Sequence, residues 1–542
     1  MKRNIIRQLL NVVIINIVVL LLSSCEAKLK DNTYSIDIVT TNDLHGKYFD
    51  SLYVDGKANQ SSLANLSSYL KEFRESGADP ILLDIGDHLQ GDNAAFYYNF
   101  VDTIQPHIFS RVIRYLDYDA IVVGNHDIEA GHSVYDKVRE ELGIPYLAAN
   151  ALIEGTEESY FEPYTIIKRN GVKVAVIGMT NPNIPSWLPK DKWSGMEFVR
   201  VVPLAQDIVN QVIAKEKPHV VILAIHAGLG SGEESDFENE GRYSAEVIKG
   251  IDMVICAHDH REAIEFVDGA DGNKVLLIDG SARAKLANKI NVEIKVEKGV
   301  VVDKKITAEH IALGKDYTPD SEYVSYFKED YRAVQKFTSR DVAEIVEDIQ
   351  IEKALSGPSE YMTLIHKLQL ASTGAQISFA APLSSRGVIE KGVVNYQDLT
   401  TIYPFENLLY VMELSGKQIK DFLEYSYEGW INKSTPTYNY DSADGIIYNV
   451  YKKRKYGERV EIISMSDGKP FDMEAKYSVA INSYRASGGG DHITKGVAIP
   501  KDDIESKYVV KKYKDIRSLL FNYLESEKVV KPEINNNWKF VE

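Results

Sequence analysis

Ile36-Asp37-Ile38-Val39-Thr40-Thr41-Asn42-Asp43-Leu44-His45-Gly46 opens as a β-branched apolar run and breaks off into a carboxylate and an imidazole. The same event recurs downstream. Apolar runs occupy Ile81 to Ile85, Ala120 to Val123, Val172 to Ile177, Val220 to Ile225 and Met253 to Cys256. Short continuous runs of this kind suit strands covered on both faces. Between them lie helix-like stretches, such as Ser61 to Ser76 with Leu63, Leu66, Leu70 and Phe73 on one side, and His107 to Leu116. Strands alternating with helices predict an α/β layered domain. Val275 to Lys295 reads as its last strands.

A chain of 542 residues is too long for one ordinary core, so two domains are expected. A charged, helix-prone stretch from Asp320 to about Ile349 divides them. Beyond it, Ser359 to Ala375 has an amphipathic helical pattern and Gln376 to Ala380 reads as a strand. Gly416 to Glu424 looks helical, and Tyr440 to Tyr451, Val460 to Met465 and Tyr477 to Asn482 look like strands. No repeat or low-complexity tract interrupts this order.

The N-terminus obeys other rules. Lys2, Arg3 and Arg7 precede an apolar run from Leu9 to Leu22, and Leu22-Ser23-Ser24-Cys25 comes next. A basic start, a short apolar stretch and small residues read as an export signal over residues 1–24. Leu-Ser-Ser-Cys resembles a bacterial lipobox, so Cys25 is the expected lipidation site of an exported, membrane-anchored lipoprotein; a retained signal anchor is the alternative. Cys256 is the one other cysteine and lies in an apolar run, so it reads as a buried small hydrophobe and core packing must carry stability. Removing residues 1–24 changes the formal charge from −17 to −20. Nucleic-acid polymers are therefore poor partners, whereas a small phosphate ester is accessible if bound cations reverse the local field. Oligomeric state is not legible.

The polar groups ending the strands carry the chemistry: Asp43-Leu44-His45, Asp87, Asn125-His126, His226 and His258-Asp259-His260. Carboxylate, imidazole and amide ligands suit a hard-to-borderline divalent metal, and the carboxyl ends of strands are where open α/β sheets build sites. A lone strand-end histidine is commonly structural. Five such segments in one chain would each need a separate packing explanation.

Thr41-Asn42-Asp43-Leu44-His45-Gly46, Gly86-Asp87-His88-Leu89-Gln90-Gly91, Gly124-Asn125-His126-Asp127, Ile225-His226-Ala227-Gly228 and Ala257-His258-Asp259-His260 resemble the five blocks of the calcineurin-like metallophosphoesterases, most closely the secreted nucleotidase branch. That branch includes 5′-nucleotidases and 2′,3′-cyclic-nucleotide 2′-phosphodiesterase/3′-nucleotidases. The resemblance implies an α/β four-layer sandwich over residues 33–315, a linker helix over 316–349, and a second α/β, nucleotide-binding domain over 350–535. It implies two divalent ions, Zn, Mn or similar, with Asp43, His45 and His260 at one, Asn125, His226 and His258 at the other, and Asp87 bridging. Together two such ions clamp a phosphate and lower the pKa of a water molecule. His126 would stabilise the developing charge or protonate the leaving oxygen, oriented by Glu129 or by Asp127.

In the second region, Tyr403-Pro404-Phe405-Glu406-Asn407 and Asn482-Ser483-Tyr484-Arg485-Ala486-Ser487-Gly488-Gly489-Gly490-Asp491 resemble blocks of the nucleotidase C-terminal domain. On that likeness Tyr484 and Tyr440 would form the two walls of a base pocket and Asp491 would face the ribose. The 5′-nucleotidases generally carry Asn-Gly-Gly-x-Arg where this chain has Phe379-Ala380-Ala381-Pro382-Leu383-Ser384-Ser385-Arg386. This departure resembles the cyclic-nucleotide phosphodiesterase/3′-nucleotidase branch, with Arg386 as a candidate substrate contact. The competing expectations are a 5′-nucleotidase or nucleotide-sugar hydrolase and, in another class, a catalytically inactive nucleotide-binding lipoprotein.

Overall fold

The computed structural model describes residues 29–542 except Asp55 and Glu406; the export signal and Cys25 lie outside the described residues. Among the described residues no helix is long and apolar enough to cross a membrane.

Two six-stranded sheets form the heart of the N-terminal domain. In the first, strand Asn32–Thr41 pairs in parallel with Ile81–Asp84, which continues to Ala120–Val122, and runs antiparallel to Leu286–Glu297 on its other side. The second aligns Val172–Met179, Val220–Ile225, Met253–Cys256 and Lys274–Gly280 in parallel. Alternate residues of both sheets meet in one apolar layer, where Ile36, Ile38 and Leu83 of the first join Val174, Ile222 and Ile255 of the second. The opposite faces are covered by helices. Leu63, Leu66, Leu70 and Ile113 pack on Val39, Leu82 and Ile121, while Ala205, Val209 and Ala245 pack on Ile177, Leu223 and Val254. Helix, sheet, sheet, helix is the four-layer sandwich, and burial on both faces is why its strands read as unbroken apolar runs.

The predicted helices start one residue inside their caps. Ser62 accepts a hydrogen bond from Ala64 N ahead of helix Leu63–Glu75, and His107 accepts one from Phe109 N ahead of Ile108–Leu116. The stretch expected to be helical from Asp320 to Ile349 is corrected by the structure. It forms two helices, Ser321–Tyr326 and Lys328–Thr338, and then strand Asp341–Ile345, which pairs with Gly392–Asn395 and Val529–Val530. Val342, Ala343 and Ile345 are buried in the C-terminal core, and that tertiary contact overrides the helical tendency of the surrounding charges.

The C-terminal domain is a second α/β unit. Its five-stranded sheet runs Ser442–Asp444, Ile377–Ala380, Lys476–Asn482, Leu408–Ser415, Val509–Asp515, flanked by helices Glu360–Thr373, Gly416–Asn432 and Ile516–Glu527. The run Tyr440 to Tyr451, expected as one strand, divides between two sheets at Gly445 (φ 91°), where a Cβ would lie 2.1 Å from Gln376 O. The domains are docked on one another. Phe96 of the sandwich is buried against Phe337 and Tyr396, and Lys501 Nζ donates to Ser186 Oγ across the junction at 2.8 Å. The loops at the carboxyl ends of the sandwich strands thus face the second domain across a cleft.

Candidate active site

All seven residues expected as metal ligands come together at the carboxyl edge of the two sheets. Asp43, His45, Asp87 and Asn125 follow strands of the first sheet, and His226, His258 and His260 follow strands of the second. Loop-to-loop backbone bonds hold them in place. Asp43 N donates to Gly86 O and His45 N to Asp87 O, both at 2.9 Å. Asp43, His45, Asp87, His258 and His260 all adopt positive φ, between 47° and 83°, a strained state for side chains with a Cβ. Glycine permits the closest approaches. A Cβ on Gly124 would lie 2.1 Å from Asp87 Oδ1, and one on Gly86 would lie 2.7 Å from His226 Nδ1.

Their electron pairs converge in two groups. In the first, Asp43, His45 and His260 present ligand atoms within 4.8 Å of one another; in the second, Asp87, His226 and His258 do the same. His45 Nε2 and His260 Nε2 face each other at 3.0 Å, and Asn125 Oδ1 faces His226 Nε2 at 3.2 Å and His258 Nδ1 at 2.9 Å. Such head-on donor pairs need a shared cation or proton between them, and the mixed carboxylate, imidazole and amide set fits divalent ions. Backbone carbonyls fix two of the rings. His45 Nδ1 lies 3.1 Å from Gln90 O and His226 Nδ1 lies 2.6 Å from Ile85 O, which leaves each Nε2 free for a metal.

The electrostatics agree with a cation-binding cradle. Burial opposes ionisation of Asp87, yet His226 and His126 outweigh it and hold the carboxyl well below its usual range. Burial likewise opposes protonation of His226, but Asp87 in contact and Asp43 nearby push it up to about 10. His45, whose burial dominates, falls to about 3, and Asp87 is the strongest charge acting on it. Asp87 therefore acts on histidines of both groups.

His126 sits beside this cradle. Its backbone N–H donates to Asp87 Oδ1 at 2.9 Å, and its Nδ1 meets Glu129 Oε2 at 2.5 Å. Asp127 turns the other way. Its carboxylate accepts the backbone N–H groups of Asp87, His88, Leu89 and Gly124 and clamps the loop beneath the site. Glu129 is thus the carboxylate in contact with the His126 ring.

A cleft of about 530 Å³ joins this edge to the C-terminal domain. Its floor includes Asp87, Asn125, His126, His258 and His260, and the opposing domain contributes Phe405, Tyr438 and Tyr484. Tyr484 lies against Gly489, where a Cβ would come within 2.5 Å of the ring, which is the physical reason for glycine in that loop. Three of the expected substrate contacts are corrected. Tyr440 is buried in the core, stacked on Trp430 with centroids 5.1 Å apart; the aromatic two residues earlier, Tyr438, lines the cleft instead. Asp491 does not line the cleft but pairs with Lys495 at 2.9 Å, because its left-handed backbone (φ 63°) points it to the next helical turn. Arg386 is exposed on the loop before Val388–Ile389, while Leu383 from the same segment reaches the cleft. Phe405 of the Tyr403-to-Asn407 block also lines it, as do Glu238 and Trp187, which no motif in the sequence singles out.

Arg485 organises the C-terminal wall. Fully buried, it donates to Asp441 Oδ2 at 2.7 and 2.9 Å, to Gly489 O at 3.0 Å and to Tyr438 O at 2.7 Å, so it ties both cleft tyrosines to one scaffold. Arg485→Leu strands the Asp441 carboxylate in the interior and is expected to cost about 3–5 kcal/mol, read as a lowered denaturation midpoint.

Comparison with known proteins bears on this geometry. Residues 36–262 match the calcineurin-like phosphoesterase family, and residues 337–495 match the 5′-nucleotidase C-terminal domain. The chain therefore joins a calcineurin-like phosphoesterase domain to a 5′-nucleotidase C-terminal domain, and it is a phosphate ester hydrolase. Among its relatives are the trifunctional nucleotide phosphoesterase protein YfkN of Bacillus subtilis and a 2′,3′-cyclic-nucleotide 2′-phosphodiesterase/3′-nucleotidase of Haemophilus influenzae, each 25% identical over 93% of this chain. The chain spans 38% of the length of the first and 87% of the second. The crystal structure of a 5′-nucleotidase precursor from Thermus thermophilus has the same fold, with a TM-score of 0.67 and 21% identity over 94% of this chain and 100% of that one.

Proposed function

We propose that the chain hydrolyses phosphate esters of nucleotides with two divalent ions, preferring 2′,3′-cyclic nucleotides and 3′-nucleotides. The observation that carries this reading is one cleft onto which the ligand cradle opens through Asp87, Asn125, His258 and His260, with His126 beside them and Tyr438, Tyr484 and Phe405 opposite. Ions held by Asp43, His45 and His260 and by Asn125, His226 and His258, with Asp87 between, would supply Lewis-acid charge for phosphate and water. The chain's own groups do the rest. Tyr438 and Tyr484 offer aromatic faces on which any base can stack, and Glu129 holds the His126 ring so that its other nitrogen can hydrogen-bond phosphate or give a proton to the leaving oxygen.

Preference for the 2′,3′-cyclic and 3′ esters rests on the segment Phe379 to Arg386. It lacks the Asn-Gly-Gly-x-Arg of the 5′-nucleotidases and brings an apolar Leu383 to the cleft. Purified protein with Mn or Zn should turn over 2′,3′-cyclic AMP and 3′-AMP faster than 5′-AMP and UDP-glucose. Faster turnover of 5′-AMP would favour the 5′-nucleotidase reading, and no turnover with two bound ions would favour a binding protein. Tyr484→Ala should raise KM by about 5- to 150-fold, the equivalent of about 1–3 kcal/mol of stacking, with kcat little changed.

The export reading belongs to the same proposal: residues 1–24 are a signal and Cys25 carries the lipid. Labelled palmitate should enter the wild-type chain and not Cys25→Ala when both are expressed in a bacterium.

A further inference from the structure

We propose that Glu238 is a positioning residue for the second metal group: its carboxylate fixes the ring of His258 so that Nδ1, and not Nε2, faces the ion. The inference rests on the dinuclear reading of the site and extends it to a residue on the cleft wall.

His258 differs from the other two fixed rings. His45 and His226 each turn Nδ1 to a backbone carbonyl and leave Nε2 for the metal. His258 is reversed, with Nδ1 2.9 Å from Asn125 Oδ1 and Nε2 3.2 Å from Glu238 Oε1. An ionised carboxylate only accepts, so the nitrogen it faces is the protonated one, and the lone pair is left on Nδ1 beside Asn125. The same contact raises the basicity of the ring as a ligand, which a neutral carbonyl does less strongly. Trp187 stacks on the imidazole, with centroids 5.4 Å apart and planes 18° from parallel, and so covers one face of the ring and opposes its tilting about the Cβ–Cγ bond. Glu238 is the group that selects its orientation.

The segment bearing Glu238 is anchored for this task. Its carbonyl accepts from Asn181 Nδ2 at 3.0 Å, and the neighbouring Glu240 is buried against Arg200 at 2.7 Å. The loop after His226 is glycine-rich for a steric reason. A Cβ on Gly228 would lie 2.3 Å from Asn239 Oδ1, and one on Gly230 would lie 1.8 Å from Asn239 O. The residue after Glu238 is therefore pressed against the loop that carries a ligand, which fixes the backbone from which the carboxylate reaches His258.

The test uses the full chain stripped of metal and titrated with Mn²⁺ alone, comparing Glu238→Ala and Glu238→Gln with wild type. The side chain of Glu238 is 49% exposed, so its removal opens no buried cavity. Glu238→Ala should weaken the second of two Mn²⁺ sites by about 10- to 100-fold and leave the first unchanged. Glu238→Gln should recover most of that loss, because its amide oxygen still accepts from Nε2–H. Unchanged affinity at both sites in Glu238→Ala, or an equal loss at both with a lowered Tm, would overturn the proposal while leaving the dinuclear centre standing. Wild type holding fewer than two ions would overturn both readings.

Discussion

His126→Ala is expected to lower kcat by about 10²- to 10⁴-fold while two metal ions remain bound. The ring is placed for proton chemistry and not for ligation. Nδ1 is taken by Glu129, the backbone N–H by Asp87, and the remaining nitrogen belongs to a side chain that lines the cleft. Burial opposes its protonation, but Asp87 and Glu129 prevail and push it up to about 9. The protonated ring, held by Glu129, is the form that can hydrogen-bond a phosphate oxygen or hand a proton to a departing alkoxide. Steady-state kinetics at saturating 2′,3′-cyclic AMP, beside metal analysis of the same sample, separates this role from ligation. An unchanged kcat would remove His126 from the mechanism, and loss of an ion would make it a ligand.

Asp87→Asn is expected to abolish high-affinity binding of the second ion and to reduce kcat by more than about a thousandfold. The substitution keeps the shape of the side chain and leaves an oxygen to accept from His126 N–H. What it removes is the negative charge set among His226, His126 and His45, and two dications a few Å apart repel strongly without an anion between them. A loss of several kcal/mol of charge stabilisation corresponds to the predicted rate effect. Two tightly held ions in the variant would show that Asp87 does not bridge.

The metal cradle is legible in the sequence because each ligand ends a short apolar strand, so a run of hydrophobic residues points to the polar one after it. Asp43, Asp87, Asn125, His226 and His258 all obey that rule. The substrate wall is less legible because its aromatics differ only in which way a turn presents them. Tyr438 and Tyr440 belong to one short turn around Thr437–Asn439, which sends the first into the cleft and the second into the core beside Trp430. Asp491 and Asp441 are a similar pair. The first, at the glycine-rich motif, ends on a surface lysine, while the second is the buried partner of Arg485. Glu238 is hidden for another reason. It stands in the acidic stretch Glu233-Glu234-Ser235-Asp236-Phe237-Glu238-Asn239-Glu240, where no local pattern tells a positioning carboxylate from a solvated one. Strand Asp341–Ile345 is masked by charged neighbours, since its pairing partners lie about 50 and about 190 residues away in sequence.

The chemistry depends above all on two ions sharing one cradle built from both sheets. Crystals of the chain soaked in Mn²⁺ and measured at the manganese absorption edge test this most directly. Two anomalous peaks are predicted, one among Asp43, His45 and His260 and one among Asn125, His226 and His258, with Asp87 touching both. A single peak, or peaks away from these side chains, would contradict it.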